Sequence, residues 1–309
     1  MPSGPFSYPE VYFFYICNPK HGHTMEAKRI DLADWEYFGE GGSSTSYINK
    51  KDGNIVLKLC NKDIPSATVL KEYLASKSFN DAGFPSPAVY DFVTDGERFG
   101  YTGQRIKGKV SFARTLSQEP DSIEDLAGRF AAMALALHRT PADVSKTTDA
   151  LESLLNSMGD LSYVPADVAD AVRTRIQSIR KDTACLHGDM NPGNLVAFEG
   201  KDSWIGVNEF AYGDPCLDIA TLHILCNYLP SQSISRLYHT DRKLLKKFFN
   251  AFKKAYFGDM WDSDEIKSRI EDASMVKFCA AAASKPEYTR ILIPLVRGQR
   301  IKFLLRRGL

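Results

Sequence analysis

Apolar and polar positions follow two regimes along the chain. Between Trp35 and about Tyr101 they form short runs bounded by turn residues, which predicts strands. Trp35 to Phe38 is one. A glycine- and serine-rich loop, Gly39 to Ser46, separates it from Tyr47-Ile48-Asn49. Lys51-Asp52-Gly53-Asn54 is a hairpin turn signal, and Ile55 to Leu59 is the strand that follows. Ser66 to Asn80 is predicted helical, with Val69, Tyr73, Leu74 and Lys77 at near-helical spacing; Gly83-Phe84-Pro85-Ser86-Pro87 breaks it. Two further strands, Ala88 to Val93 and Phe99 to Ile106, are joined through Asp95-Gly96.

After Gly108 the period changes. Leu126, Phe130, Met133 and Leu137 make an apolar stripe at spacings of 4, 3 and 4, with Ser122 and Asp125 as a capping start. Helices are also predicted over 148–157, 166–180, 217–228, 241–256 and 264–282, while 184–210 reads as a strand, a loop and a hairpin. No internal repeat or flexible linker interrupts the pattern. It predicts a small sheet-rich lobe over residues 25–105 and a larger helical lobe over 106–309. Residues 1–24 stand apart, with Pro2, Pro5, Pro9 and Pro19 around an aromatic cluster. They read either as an extension upstream of a natural start at Met25 or as an arm packing its aromatics on the body.

Composition narrows the class. The 309 residues are 44% hydrophobic and 25% charged, which excludes a disordered, collagen-like or low-complexity chain. A net charge of +1 gives no bulk field for nucleic acid or an anionic membrane, and neither is expected as a partner. Six cysteines, at 17, 60, 185, 216, 226 and 279, include no CxxC pair and read as reduced thiols of a cytoplasmic protein. No apolar run approaches the ~18 residues of a membrane helix. Val11 to Ile16 lacks both a preceding basic region and a cleavage site, so no targeting segment is expected.

The chemistry concentrates in Cys185-Leu186-His187-Gly188-Asp189-Met190-Asn191-Pro192-Gly193-Asn194-Leu195-Val196 and in Glu209-Phe210-Ala211-Tyr212-Gly213-Asp214-Pro215-Cys216-Leu217-Asp218. A loop acid, an amide five residues later and a second acid beyond a hairpin are what phosphoryl transfer uses. One carboxylate orients a hydroxyl, and an amide and a carboxylate hold a divalent metal. In the sheet-rich part, Val56, Lys58 and Cys60 share one strand face, and an ammonium on an apolar face calls for an anion. Glu72 is the acid available within 66–80. Taken singly, Asp189 also fits a turn-capping acid, Lys58 a solvated strand lysine, Gly39 to Ser46 an ordinary hairpin and Gln104 to Gly108 a plain linker.

The order His187-Gly188-Asp189, Asn194 and Gly213-Asp214-Pro215-x-x-Asp218 resembles the aminoglycoside phosphotransferase and choline kinase family, relatives of the protein kinases. The resemblance covers most of residues 25–225. It implies an α+β, two-lobed protein kinase-like fold with a small antiparallel-sheet N-lobe and a larger, mostly helical C-lobe. It implies an ATP-dependent kinase that moves the γ-phosphate to a hydroxyl of a small molecule, with magnesium (Mg2+). Asp189 then takes the place of the catalytic base or hydroxyl-orienting group. Asn194 and Glu209 take those of the metal ligands, and His187 and Asp218 brace the loop. Gly41, Gly42 and Ser43 would cover the phosphates, which Lys58, paired with Glu72, would hold. Val56 would lie against adenine, and Gln104 and Ile106 would belong to the hinge that reads it. The resemblance names no acceptor and no oligomeric state.

One departure bears on activity. The family's metal-binding Asp is Glu209 here, which moves the carboxylate by roughly 1.5 Å. Magnesium demands near-ideal octahedral geometry, so the site is active after adjustment, prefers Mn2+, or binds nucleotide without turnover as a pseudokinase scaffold. A protein kinase acting on Ser or Thr is a further alternative, but Phe210 to Asp218 is too short for an activation segment. Residues 215–309 hold 17 Lys and Arg against 9 Asp and Glu, which disfavours polycationic acceptors and favours neutral or anionic ones. Other features are bland. His21 and His23 sit in the N-terminal arm. His138 ends a helix, where a cation suits the dipole. Trp204, Phe248, Phe249, Phe252, Tyr256 and Phe257 are expected in the core or a pocket wall, and Arg297 to Arg307 is read as a solvated helix end.

Overall fold

The computed structural model describes residues 13–14, 25–229 and 231–299. Apart from β1 (Phe13–Phe14), which pairs antiparallel with β2 (Met25–Glu26), the readings on residues 1–24 lie outside the described residues. So does the basic tail beyond Gln299. The chain divides into two compact units, one running to residue 80 and including 87–106, the other made of 81–86 and everything from 107 onward. Among the described residues no helix is long and apolar enough to cross a membrane.

The first unit is built on a six-stranded sheet. Its strands are β3 (Lys28–Arg29), β4 (Trp35–Glu40), β5 (Ser44–Asn49), β6 (Ile55–Cys60), β7 (Val89–Thr94) and β8 (Phe99–Gln104), in the order β3-β7-β8-β6-β5-β4. Every pairing is antiparallel except the parallel β3–β7 edge. Strand alternation gives β6 two different faces. Leu57 and Leu59 are buried with Trp35 and Val93 on one side. Cys60 meets Val69, Leu70, Tyr73 and Phe92 on the other, where α1 (Ser66–Asp81) packs. Each fully buried leucine contributes about 1.5–3 kcal/mol.

Two local readings are corrected here. The glycine-rich loop is shorter than the composition suggested, because Gly39 pairs with Ser46 and Glu40 with Thr45, leaving only residues 41–43 as the turn. The buried face of α1 runs through Val69, Leu70, Tyr73, Ser76 and Phe79, while Leu74 is exposed.

The second unit is mostly helical. It holds β9 (Val110–Ser111), α2 (Phe112–Gln118), α3 (Ile123–His138), β10 (Thr148–Asp149), α4 (Ala150–Met158) and α5 (Ala166–Ser178). β11 (Cys185–Leu186), β12 (Leu195–Phe198), β13 (Lys201–Trp204) and β14 (Ala211–Tyr212) follow. The chain continues with α6 (Cys216–Asn227), α7 (Ser231–Tyr238), α8 (Arg242–Phe257), α9 (Asp264–Ser284) and α10 (Thr289–Val296). Phe130 of α3 is the hub of the core, meeting Trp204, Phe248 and Phe252 edge-on at ring separations of 5.4–5.5 Å. Ser122 does not cap α3; its hydroxyl donates to the Glu119 carbonyl instead. The short helices α2 and α7 and the Pro294-containing α10 are not among the predicted elements. Cys60, Cys185, Cys216, Cys226 and Cys279 are buried free thiols.

Two small sheets set up the site. β14 lies between β10 and β11, with Leu186 opposite Ala211. β12 lies between β13 and β9. The segment after β11 and the segment before β14 are therefore brought side by side, although they are far apart in sequence.

Candidate active site

The loop between β11 and β12 is fixed almost atom by atom. Asp218, in the first turn of α6, is fully buried, and its carboxylate accepts from two successive amides, His187 N–H at 2.7 Å and Gly188 N–H at 2.8 Å. His187 is also fully buried. Its Nδ1 accepts from Asp189 N–H at 3.2 Å, so Nε2 carries the proton and donates to the Ile205 carbonyl at 3.1 Å. Burial lowers the His187 pKa and outweighs the nearby Asp218 charge, keeping the ring neutral. Burial pushes the Asp218 carboxyl the other way, but the hydrogen bond and charge of His138, with Lys277, leave it below the ordinary carboxylate range.

The loop then turns. Asn191, buried, donates from Nδ2 to the Asp189 carbonyl and accepts Gly193 N–H on Oδ1, while Asn194 N–H closes the turn on the Asn191 carbonyl. The Pro192 carbonyl accepts from Ala113 N–H at the start of α2. Asp189 itself is exposed. Asn194 Nδ2 donates to its carbonyl at 2.8 Å and to its Oδ2 at 2.9 Å. The second carboxylate oxygen of Asp189 and the Asn194 amide oxygen have no partner among the described residues.

Glycine is required at two points. Gly188 (φ +89°) lies so close to Glu209 that any Cβ at 188 would overlap it. Gly206 (φ +69°) lies against the Asn194 amide, whose Oδ1 would be 2.8 Å from a Cβ there. Glu209 is exposed and makes no hydrogen bond or ion pair among the described residues. Asn194 and Glu209 carry the oxygen donors that a hard divalent cation takes, and could hold one. No group of three His, Cys, Asp or Glu that could hold a metal unaided is found among the described residues.

Four features of this site were not recognised from the sequence. His138, read as a helix-end cation, is instead buried, with Nε2 on Asp218 at 3.1 Å and Nδ1 on the Tyr256 hydroxyl at 2.7 Å. Lys277 of α9 donates to the Gly188 carbonyl and, at 2.6 Å, to the Thr221 hydroxyl. Its signal was present as the one charge in the apolar run Met275 to Ala283. Gly206 and Tyr238 are the others; nothing local marks them.

In the first unit, Lys58 Nζ stands 2.9 Å from Glu72 Oε2 and 3.3 Å from the Tyr101 hydroxyl, each carboxylate and ammonium side chain a quarter exposed. Burial opposes the Lys58 charge, but Tyr101 and Glu72 overcome it and hold its pKa above the ordinary lysine value. Lys58 is opposite Tyr101, and Val56 opposite Gly103. Gly41, Gly42 and Ser43 form the β4–β5 tip. Gly41 N–H closes it on Ser44, and Asn61 holds the carbonyls of Gly42 and Ser43. Neither glycine there has a positive φ, and a Cβ at Gly42 would meet nothing within 4 Å. Gln104 N–H donates to the Ala88 carbonyl, and Ile106 ends the unit. A cavity of about 580 Å³ in this unit, between Lys28 and Lys51, holds mutually paired charges, Lys28 with Asp91 and Lys51 with Asp34, and none of the motif residues.

A sheet-rich unit with a half-buried lysine–glutamate pair, and a helical unit with an acid-bearing loop braced by a buried aspartate, define a phosphotransferase of protein kinase-like fold. The chain belongs to the phosphotransferase enzyme family, whose model matches residues 34–263. Among solved structures it is similar to a thermostable mutant of aminoglycoside phosphotransferase APH(4)-Ia in ternary complex with ADP and hygromycin B (TM-score 0.59, 14% identity, 87% of this chain and 95% of that one). It is also similar to a choline/ethanolamine kinase family protein from Mesorhizobium loti (TM-score 0.52, 16% identity, 87% and 82%). A third is an amicoumacin kinase in complex with AMP-PNP, Ca2+ and Ami (TM-score 0.54, 15% identity, 88% and 90%). No curated protein matches the chain.

Proposed function

We propose that this phosphotransferase moves the γ-phosphoryl group of ATP to a hydroxyl of a small molecule. The observation that carries the proposal is the exposed Asp189 carboxylate. It is held by Asn194 at 2.9 Å on a loop whose amides are clamped by buried Asp218, with one oxygen left to receive a hydroxyl. In this reading residues 25–105 hold the nucleotide and 106–309 hold the catalytic and acceptor groups. Lys58, fixed by Glu72, binds the α- and β-phosphates; the tip Gly41, Gly42 and Ser43 covers them with backbone N–H groups. Val56 and the Gln104–Ile106 segment receive the adenine.

The bond between Pγ and the β,γ-bridging oxygen breaks as the acceptor oxygen bonds Pγ. The hydroxyl proton passes to Asp189, and ADP leaves. Asp189 mainly orients the hydroxyl, since little base strength is needed for a loose phosphoryl transition state. Asn194 and Glu209 supply the protein's ligands for magnesium or manganese. That metal, when bound, neutralises charge on the phosphates. His187 and Asp218 touch no substrate and position the loop. The free buried thiols suit a reducing compartment, the cytoplasm.

The test is acceptor-dependent ADP release by the full chain with Mg2+ or Mn2+. Release that Asp189→Ala abolishes supports the proposal. Nucleotide-induced thermal stabilisation without release under any condition refutes it in favour of a nucleotide-binding pseudokinase.

A further inference from the structure

The second unit contains a pocket of about 260 Å³ beside Asp189, walled by Asn191, Gly193 and Asn194 of the loop, Ser111 ahead of α2, and Tyr238 and His239 at the end of α7. The uncommitted oxygen of Asp189 makes this the place where a reacting hydroxyl would sit. Its remaining chemistry then describes the molecule that carries that hydroxyl. This step rests on the phosphotransfer reading above.

Three observations converge. First, a volume of about 260 Å³ gives room for one ring beside Asp189. Second, Asp189 is the only carboxylate among the lining residues, and the reacting hydroxyl claims it. An amine-rich acceptor would find no second carboxylate in the lining to pair with its ammonium groups. Third, two of the polar groups at the pocket are neutral hydroxyls. The half-buried Tyr238 ring stands against Gly193, where a Cβ would lie 3.2 Å from Tyr238 Cε1, and its hydroxyl has no partner among the described residues. Burial and the Asp189 charge both raise the Tyr238 pKa, so the phenol remains a donor. Ser111 Oγ accepts from Arg114 N–H and keeps its own proton to give. His239 holds its place at φ +53°, a backbone region that histidine tolerates better than most residues.

We infer that the acceptor is an uncharged polyhydroxylated molecule of single-ring size, a monosaccharide or cyclitol, and that the Tyr238 hydroxyl selects it by hydrogen bonding a hydroxyl neighbouring the one phosphorylated. The transfer balances as before: the acceptor O–H loses its proton to Asp189, the Pγ–O bond to ADP breaks, and a sugar phosphate and ADP result.

The experiment measures ADP formation by the full chain with D-glucose, D-galactose and myo-inositol against kanamycin, neomycin and hygromycin B, for the wild type and Tyr238→Phe. The expected result is a higher kcat/KM for at least one uncharged single-ring acceptor than for every aminoglycoside. With it, Tyr238→Phe raises the acceptor KM about tenfold, as loss of one hydrogen bond does, with kcat changed far less. Preference for an aminoglycoside, or a Tyr238→Phe KM equal to wild type, overturns this inference and leaves phosphotransfer standing. No release with any acceptor, together with an Asp189→Ala variant identical to wild type, overturns both.

Discussion

Gly188 and Glu209 are in backbone contact. A Cβ at 188 would overlap the Cβ and carbonyl oxygen of Glu209 and stand 2.8 Å from its carbonyl carbon. The contact involves only main chain and Cβ of Glu209, so the loop fixes where that side chain starts and leaves its carboxylate free to reach outward. Glu209→Asp withdraws the carboxylate by roughly 1.5 Å without touching the contact. Its predicted effect is therefore on metal choice, read as a changed ratio of Mg2+- to Mn2+-supported ADP release at unchanged unfolding midpoint. Glu209→Ala should cost about 10²–10³ in kcat, the size of losing one preorganised electrostatic group.

Gly188→Ala attacks the same contact from the other side. Alanine is strained at φ +89° and must also push the two segments apart, so a loss of about 1–3 kcal/mol in denaturant unfolding is expected, with loss of turnover. Gly39→Ala is the internal comparison: a Cβ there meets nothing within 4 Å, and its stability should change by less than about 0.5 kcal/mol.

Lys58 and Glu72 form the pair on which nucleotide affinity should depend. Lys58→Met removes the ammonium and leaves Glu72 facing the phosphates, so the stabilisation by ATP in thermal unfolding should vanish. Because the Lys58 pKa lies above the ordinary lysine value, that stabilisation in the wild type should stay flat from pH 7 to pH 9. A decline over that range would show the lysine losing its proton early.

Much of this was legible from residue order alone, because the chemistry sits in contiguous motifs: a loop acid, an amide five residues on, and an acid ahead of α6. The alternation that put Lys58 opposite the leucines is equally local. What was not legible is long-range. Nothing near His138 says that Asp218, eighty residues later, will accept from it. Nothing near Gly188 says that Lys277 of α9 will reach its carbonyl. The glycine loop was overestimated because composition marks flexible residues but not the cross-strand pairs Gly39–Ser46 and Glu40–Thr45 that extend the hairpin. The stripe on α1 slipped for a similar reason: two faces of the helix carry apolar residues, and only tertiary packing decides that Phe79 is buried and Leu74 is not.

Acid should destabilise the fold in two stages. His187 has a folded pKa below its ordinary value because burial keeps it neutral, whereas the unfolded chain takes up a proton near pH ~6.5. The unfolded state therefore binds more protons just below that pH, and stability falls as pH drops through it, by up to about 1.4 kcal/mol per pH unit for one group. Asp218 is depressed as well; its contribution is intact above the unfolded carboxylate pKa of ~3.9 and is lost below it as pH falls towards the folded value. Urea midpoints from pH 8 to pH 4 should be level at the top and decline below about 6.5. A midpoint that rises on acidification through that window would contradict the buried neutral imidazole.

Lys277 offers the sharpest separation of catalysis from folding. Its ammonium is shared between the Gly188 carbonyl and the Thr221 hydroxyl, and its positive charge opposes that of buried Asp218. Lys277→Met keeps most of the volume and removes the donor, so the Gly188 carbonyl is released on the side away from its clamped N–H. The peptide that links the brace to Asp189 can then tilt, and an ångström of drift in a positioned group costs about 10²-fold in rate. The expected outcome is a large fall in kcat with the ATP-induced thermal shift retained, because the Lys58–Glu72 pair lies elsewhere in the chain and is untouched. A stability loss of about 1–3 kcal/mol accompanies it, from the unsatisfied carbonyl and the less compensated carboxylate. Measuring kcat, nucleotide-induced shift and urea midpoint on the same preparation distinguishes the cases. A variant with a lowered midpoint but normal kcat would make Lys277 a fold residue only, with no part in holding the loop for transfer.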